Sequence, residues 1–183
     1  MNKKRKLFIV LLALIILVVL ITYVSKPNFI TDWASCNFTS EKYTVRGNSL
    51  QGVVEDGQIV EVFPLYYDCH EIKRGDMVVY SYAGNAEPVI KIIKGIPGDK
   101  FELRESGSGW NILINEQALV NSENQPYLLD SRGYNMLSLY ERDYNGIIPE
   151  NAYLIMGNLV GGSVDSTHYG LVSGQDILGK VKY

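Results

Sequence analysis

The sequence predicts a mainly β domain carried behind one membrane-spanning helix. The domain reads as a folded-over sheet or partial barrel with a hairpin-rich insertion at about residues 100–148. Three observations predict it. Hydropathy divides the chain sharply near residue 24. The segments beyond that point are short, rich in Val, Ile and Tyr, and punctuated by Gly, Pro and Asp, the pattern of strands and tight turns. No ten-residue amphipathic stripe with good caps occurs there; the best helical stretch, residues 135–142, is weak.

Residues 1–6, MNKKRK, hold four positive charges and no negative ones. Residues 7–24, LFIVLLALIILVVLITYV, contain 17 apolar side chains in 18 and no charge. As a helix this run rises about 27 Å, near the ~30 Å hydrocarbon layer. A cleaved leader would have a shorter apolar core followed by small residues, and TYVSKPNF offers no convincing A-x-A site. The expectation is an uncleaved anchor, with the basic tip (1–6) cytoplasmic and residues 25–183 on the outer face.

Residues 25–183 carry 13 basic and 20 acidic groups, a net −7. That balance argues against nucleic-acid binding, which needs a basic face. Two cysteines in 183 residues exclude a disulfide scaffold. Cys36 and Cys69 either pair in an oxidising compartment or remain two buried thiols, and the sequence leaves both open.

Along the outer domain, TVRGNSL leads into QGVVEDGQIVEVF, with Gly57 as a turn and IVEVF as a strand. IKRGDMVVYSY places a Gly-Asp turn before a β-rich run. PVIKIIKGIPGDKFELRE reads as two strands broken at Gly95, Pro97, Gly98 and Asp99. SGSG at 106–109 is a hairpin turn between FELRE and WNILIN, residues 121–145 read as loop, and IIPENAYLIMG and ILGKVKY supply the last strands.

Candidate chemistry is sparse. Two histidines, His70 and His168, and two cysteines do not make a zinc site, so no metal or cofactor is expected. No phosphate loop is present. Ser49 sits on a Gly-rich bend, Gly47-Asn48-Ser49-Leu50, and Lys91 lies among hydrophobes in Val89-Ile90-Lys91-Ile92-Ile93. A serine hydroxyl needs a base to become a nucleophile. A lysine serves as that base only if burial lowers its pKa from ~10.4 toward neutrality. Strand alternation puts Val89, Lys91 and Ile93 on one face and Lys94 on the other. On these residues alone, a turn serine and an edge lysine that snorkels to water explain the pattern better.

Four segments in order change that balance, because they resemble the boxes of the bacterial type I signal peptidase family. RGNSLQGVVEDGQIVEV is similar to the serine box, G-x-S-M-x-P-T-L. IKRGDMVVY is similar to the R-G-D strand box. VIKIIKGIPGDKFEL is similar to the lysine box, K-R-V-x-G-x-P-G-D. YLIMGNLVGGSVDSTHYG is similar to G-D-N-R-x-x-S-x-D-S-R-x-x-G. The resemblance runs from the anchor to the last residues. It implies the family's mainly β fold and a membrane-anchored serine endopeptidase that removes signal peptides from exported pre-proteins, pre-pilins among them. It implies Ser49 as nucleophile, Lys91 as general base, Ser163 as the hydroxyl orienting the lysine amine, and Asp165 as a structural carboxylate. Ser49 would attack the scissile carbonyl. Lys91 would pass the proton to the leaving amine and then activate water. Ser49's own N–H would serve the oxyanion, and Gly47 stands where some members add a hydroxyl.

The departures are Leu50 for Met, Gly52 for Pro, Ile92 for Arg, Asn158 for Asp, Leu159 for Asn, Val160 for Arg and Thr167 for Arg. Loss of the arginine at 167 removes the expected partner of Asp165 and is expected to loosen the site. This erosion also suits a non-catalytic or specialised assembly factor in pilus biogenesis. A third arrangement, Ser49 with His168 and Asp165, is compatible with the spacing of the last two.

Overall fold

Residues 39–81 and 87–183 are described by the structure, a computed structural model. The basic tip and the apolar run at 7–24 lie outside the described residues, as does Cys36. Among the described residues no helix is long and apolar enough to cross a membrane.

Alternating strands assemble into two antiparallel sheets. The larger contains β1 (Glu41–Thr44), β2 (Ile59–Pro64), β3 (Met77–Tyr80), β4 (Val89–Gly95), β9 (Ala152–Met156), β10 (Val172–Ser173) and β11 (Ile177–Lys182). Its order is β1-β2-β11-β3-β4-β9-β10. The smaller holds β5 (Phe101–Ser106), β6 (Gly109–Ile114), β7 (Gln117–Ala118) and β8 (Leu128–Leu129), the last pairing with β6. The expected insertion is therefore this second sheet together with the chain that leads from it to β9. The 106–109 turn closes the β5–β6 hairpin, with Ser106 opposite Gly109 and Gly107 left-handed at φ 60°.

Both faces of the large sheet are covered, so β4 is buried on two sides. Ile90 and Ile92 join a core with Leu50, Val54, Met77 and Val79. Val89 and Ile93 join the opposite core with Val78, Tyr80 and Ile155. A third core, with Phe101, Ile112, Leu137, Leu154 and Met156, couples the small sheet to β9.

Residues 121–145 are not a loop. They contain β8 and a 13-residue helix, α1 (Ser131–Asp143). Its N-cap, Asp130, accepts a hydrogen bond from the Gly133 amide at 2.8 Å, satisfying a donor the helix leaves unpaired. Only Gly133 and Leu137 are buried along it. Leu137 is wholly enclosed in the third core, and Tyr134 stacks on Trp110 with ring centroids 4.3 Å apart. Tertiary contacts, rather than a broad apolar stripe, hold this helix. A second, four-residue helix, α2 (Ser166–Tyr169), follows β9.

Two boxes prove architectural. Arg74 pairs with Asp99 at 2.5 Å and also donates to the Lys94 carbonyl at 2.6 Å. Asp99, only 6% exposed, accepts in addition from the Ile96 amide and Asn115 Nδ2. Asp76 accepts from Lys180 at 2.7 Å, from the Tyr67 hydroxyl and from the Lys73 amide. These carboxylates lock the turns on either side of β3 and β4.

Candidate active site

The bend carrying Ser49 is anchored by apolar side chains on its far side. Leu50 and Val54 are 2% and 0% exposed. Gln51, Val53 and Val54 amides close successive turns onto Asn48 and Leu50 carbonyls, and Gly47 N–H donates to Asp56 Oδ1 at 2.8 Å. Gly52 adopts φ 86°, which proline's ring forbids and which glycine reaches freely. The Gly52 departure is therefore tied to the local backbone. Ser49 is left half-buried, and its carbonyl accepts two amides, Asn158 at 2.7 Å and Leu159 at 3.1 Å. Its own N–H has no acceptor among the described residues.

Lys91 lies in the middle of β4, opposite Val78 of β3, and is 4% exposed. Its Nζ is 2.9 Å from Ser49 Oγ and donates to the Ile90 carbonyl at 3.1 Å. Burial lowers its pKa below the ordinary lysine value; the negative charge of Asp165 opposes this and raises it. Lys94 also has a lowered pKa from burial. It nevertheless points elsewhere, donating to the Val120 carbonyl at 2.9 Å near the Tyr127 ring. Geometry, not acidity, separates the two lysines.

The segment after β9 carries Asp165, whose negative charge acts on the Lys91 amine. Asp165 is 2% exposed and caps α2. Its Oδ2 accepts from the Gly157 amide at 2.9 Å. Its Oδ1 accepts from the Thr167 amide at 3.0 Å and the Thr167 hydroxyl at 2.8 Å. The expected loosening at position 167 is thus corrected: the threonine supplies two neutral donors where the resemblance expects a cation. Asn158 likewise acts as a cross-tie. Its Nδ2 donates to the Gln51 carbonyl and Ser122 Oγ, and its Oδ1 accepts from the Ser122 amide.

Ser163 departs from its expected contact. Its Oγ is buried beside Gly157 and has no hydrogen-bond partner among the described residues, while the lysine amine is bonded to Ser49 and Ile90. His168 Nδ1 lies 3.0 Å from Thr167 Oγ1, and Ser49 Oγ is engaged by Lys91, so the Ser49/His168/Asp165 arrangement is not assembled. Ser163, Asp165, Thr167 and His168 border a cleft of about 210 Å³ whose opposite wall includes Asp130 and Arg132. Among the described residues no group of three His, Cys, Asp or Glu could hold a metal ion.

Sequence reasoning passed over Gly157, Ser166 and Tyr127. A β-carbon on Gly157 would fall 2.7 Å from the Ser49 carbonyl oxygen. Ser166 Oγ, fully buried, accepts from the Ile155 amide at 2.9 Å. The Tyr127 hydroxyl donates to the Gly157 carbonyl. Gly157 and Ser166 stand inside the last box and were legible there as small residues; Tyr127 lies in the segment read as loop and gave no signal.

A serine on a rigid bend against a buried lysine, within two antiparallel sheets, describes a hydrolase-like site. The family model described as signal peptidase, peptidase S26, matches residues 4–183. The chain belongs to the type I signal peptidase family and is a serine endopeptidase. Relatives include signal peptidase I of Bacillus caldolyticus, 29% identical over 149 residues, covering 80% of this chain and 79% of the relative. Signal peptidase IB of Staphylococcus aureus is 29% identical over 164 residues, covering 80% and 78%. A crystal structure of a signal peptidase I from Enterococcus faecalis V583 aligns with a TM-score of 0.45 and 23% identity, over 62% of this chain and 98% of that one.

Proposed function

We propose that the protein is a membrane-anchored peptidase that removes signal peptides from exported pre-proteins, pre-pilins included, using Ser49 as nucleophile and Lys91 as general base. The observation that carries this reading is the 2.9 Å approach of the buried Lys91 Nζ to Ser49 Oγ. Burial disfavours the ammonium form, so the amine reaches its neutral, proton-accepting state at a lower pH than an exposed lysine.

In the proposed reaction, Ser49 Oγ bonds to the scissile carbonyl carbon as its proton passes to Lys91 Nζ. The carbonyl π pair moves to oxygen, where the unengaged Ser49 N–H stabilises it. Collapse of the tetrahedral intermediate breaks the C–N bond. Lys91 returns the proton to the departing amine, leaving an acyl-serine. Water attacks that ester with Lys91 again taking the proton, and Ser49 leaves with it. Asp165, held by Gly157 and Thr167, acts on the amine through its negative charge.

We further propose the topology read from the sequence: residues 1–6 cytoplasmic, 7–24 spanning, and 25–183 an extracytoplasmic domain. Cys69 is disulfide-bonded, which supports an oxidising outer compartment. Anchoring keeps the site at the surface where apolar signal segments lie and raises their effective concentration. The test is cleavage of a pre-protein by the detergent-solubilised full chain. Ser49→Ala and Lys91→Ala are each expected to abolish it, and full activity in either variant overturns the assignment.

A further inference from the structure

We propose that Thr167 is a positioning residue for the base, holding Asp165 in a hydrogen-bonded chain with His168 and so setting the charge beside Lys91. This inference rests on the Ser49/Lys91 reading above.

The hydrogen-bonded chain is short and directional. Thr167 Oγ1 is 2.8 Å from Asp165 Oδ1 and 3.0 Å from His168 Nδ1. A hydroxyl has one proton, and an ionised carboxylate only accepts. The hydroxyl proton therefore goes to Asp165, and His168 must carry its proton on Nδ1 and donate it to Thr167. That fixes the tautomer and polarises the threonine hydroxyl toward the carboxylate.

Every group that bonds the Asp165 carboxylate among the described residues is neutral: the Gly157 amide, the Thr167 amide and the Thr167 hydroxyl. No salt bridge reaches it among those residues. The other ionisable groups of this region are Tyr127, whose hydroxyl is committed to the Gly157 carbonyl, and Asp130, Arg132 and His168 around the adjoining cleft. The residual charge of Asp165 accordingly bears on Lys91 and makes its proton harder to remove. Each donor that draws on the carboxylate weakens this pull. Loss of the Thr167 hydroxyl leaves the carboxylate two amide donors, with more of its charge directed at the lysine.

The test is the pH profile of kcat/KM for pre-protein cleavage by the detergent-solubilised full chain. Thr167→Val, isosteric but without the hydroxyl, is expected to move the rising limb to higher pH by roughly 0.5–1 unit. Below the limb this is a loss of roughly three- to tenfold, with the high-pH plateau largely kept. Thr167→Ser restores the wild-type limb, and His168→Leu, which removes the donor that polarises the hydroxyl, shifts it less far in the Thr167→Val direction. A limb that stays in place while Thr167→Val lowers turnover equally at every pH overturns the inference, because a merely structural threonine would behave that way. Undiminished cleavage by Lys91→Ala would instead overturn the dyad reading on which it stands.

Discussion

Replacing Gly157 by alanine adds one methyl group at the junction of the Ser49 bend and the Asp165 segment. Gly157 is not among the positive-φ glycines, so its backbone accepts alanine and the effect is steric. The new β-carbon would lie 2.2 Å from Ser163 Oγ, 2.6 Å from Ser163 Cβ and 2.7 Å from the Ser49 carbonyl oxygen. Non-bonded heavy atoms settle about 3.5 Å apart, so Ser163 must retreat by roughly 1 Å and the Ser49 carbonyl by somewhat less. Rotation of the serine side chain moves its Oγ but not its Cβ, so the backbone at Ser163 must also give. The Ser49 carbonyl is held by the Asn158 and Leu159 amides. Overpacking of this kind costs about 1–3 kcal/mol, a Tm drop of roughly 3–10 °C for a domain this size. Misplacing a reacting atom by ~1 Å costs about 100-fold in rate, or ~2.7 kcal/mol of barrier. The expected result is a folded protein with kcat/KM for a pre-protein reduced about 100-fold, measured beside a thermal melt. Wild-type turnover with an unchanged melt would refute the reasoning.

Other outcomes rest on the same contacts. Asn158→Ala strips the Gln51 carbonyl and Ser122 of their partner and should destabilise by about 1–3 kcal/mol, read as an earlier urea midpoint. Asp99→Ala breaks an ion pair whose carboxylate is buried while Arg74 is 38% exposed; the expected loss is about 2–3 kcal/mol, below that of a fully buried pair. Lys91→Met should abolish cleavage yet raise the melting temperature near neutral pH. The folded lysine has a lowered pKa, so protonated lysine penalises folding below that pKa. The penalty fades as pH rises from the lowered value to the ordinary 10.5, and the Met advantage should fade with it. Alkylation of the denatured, unreduced protein should leave Cys69 unlabelled, since it is disulfide-bonded; labelling would refute that bond.

Much of this site was legible because the chemistry sits on local pattern. Alternation around Lys91 named its face, and the glycines about Ser49 marked the bend. Only a weak helical stretch at 135–142 was legible for the helix at Ser131–Asp143, because Gly133, Asn135 and several aromatics weaken its propensity, while Leu137 and the Asp130 cap supply its stability through contacts distant in sequence or outside any apolar stripe. The losses of charge in the last box read as erosion. In three dimensions Asn158 and Thr167 satisfy the same region with neutral hydrogen bonds, which substitution patterns cannot reveal. Ser163 shows the converse: its position matches a motif, yet its hydroxyl makes no hydrogen bond among the described residues.

By itself, the sequence determined the longer strands, the hairpin at 106–109, the candidate pair Ser49 and Lys91, and the four boxes that resemble the family. These depend on side-chain period and turn chemistry, which are local. Only the tertiary structure decided that Lys91 Nζ lies 2.9 Å from Ser49 Oγ, that Asp165 is held by Thr167 and Gly157, and that Gly157 must lack a side chain. The approaches of Lys91 and Gly157 to Ser49 depend on distances between segments more than 40 residues apart. Packing sets such distances, and no local pattern encodes them.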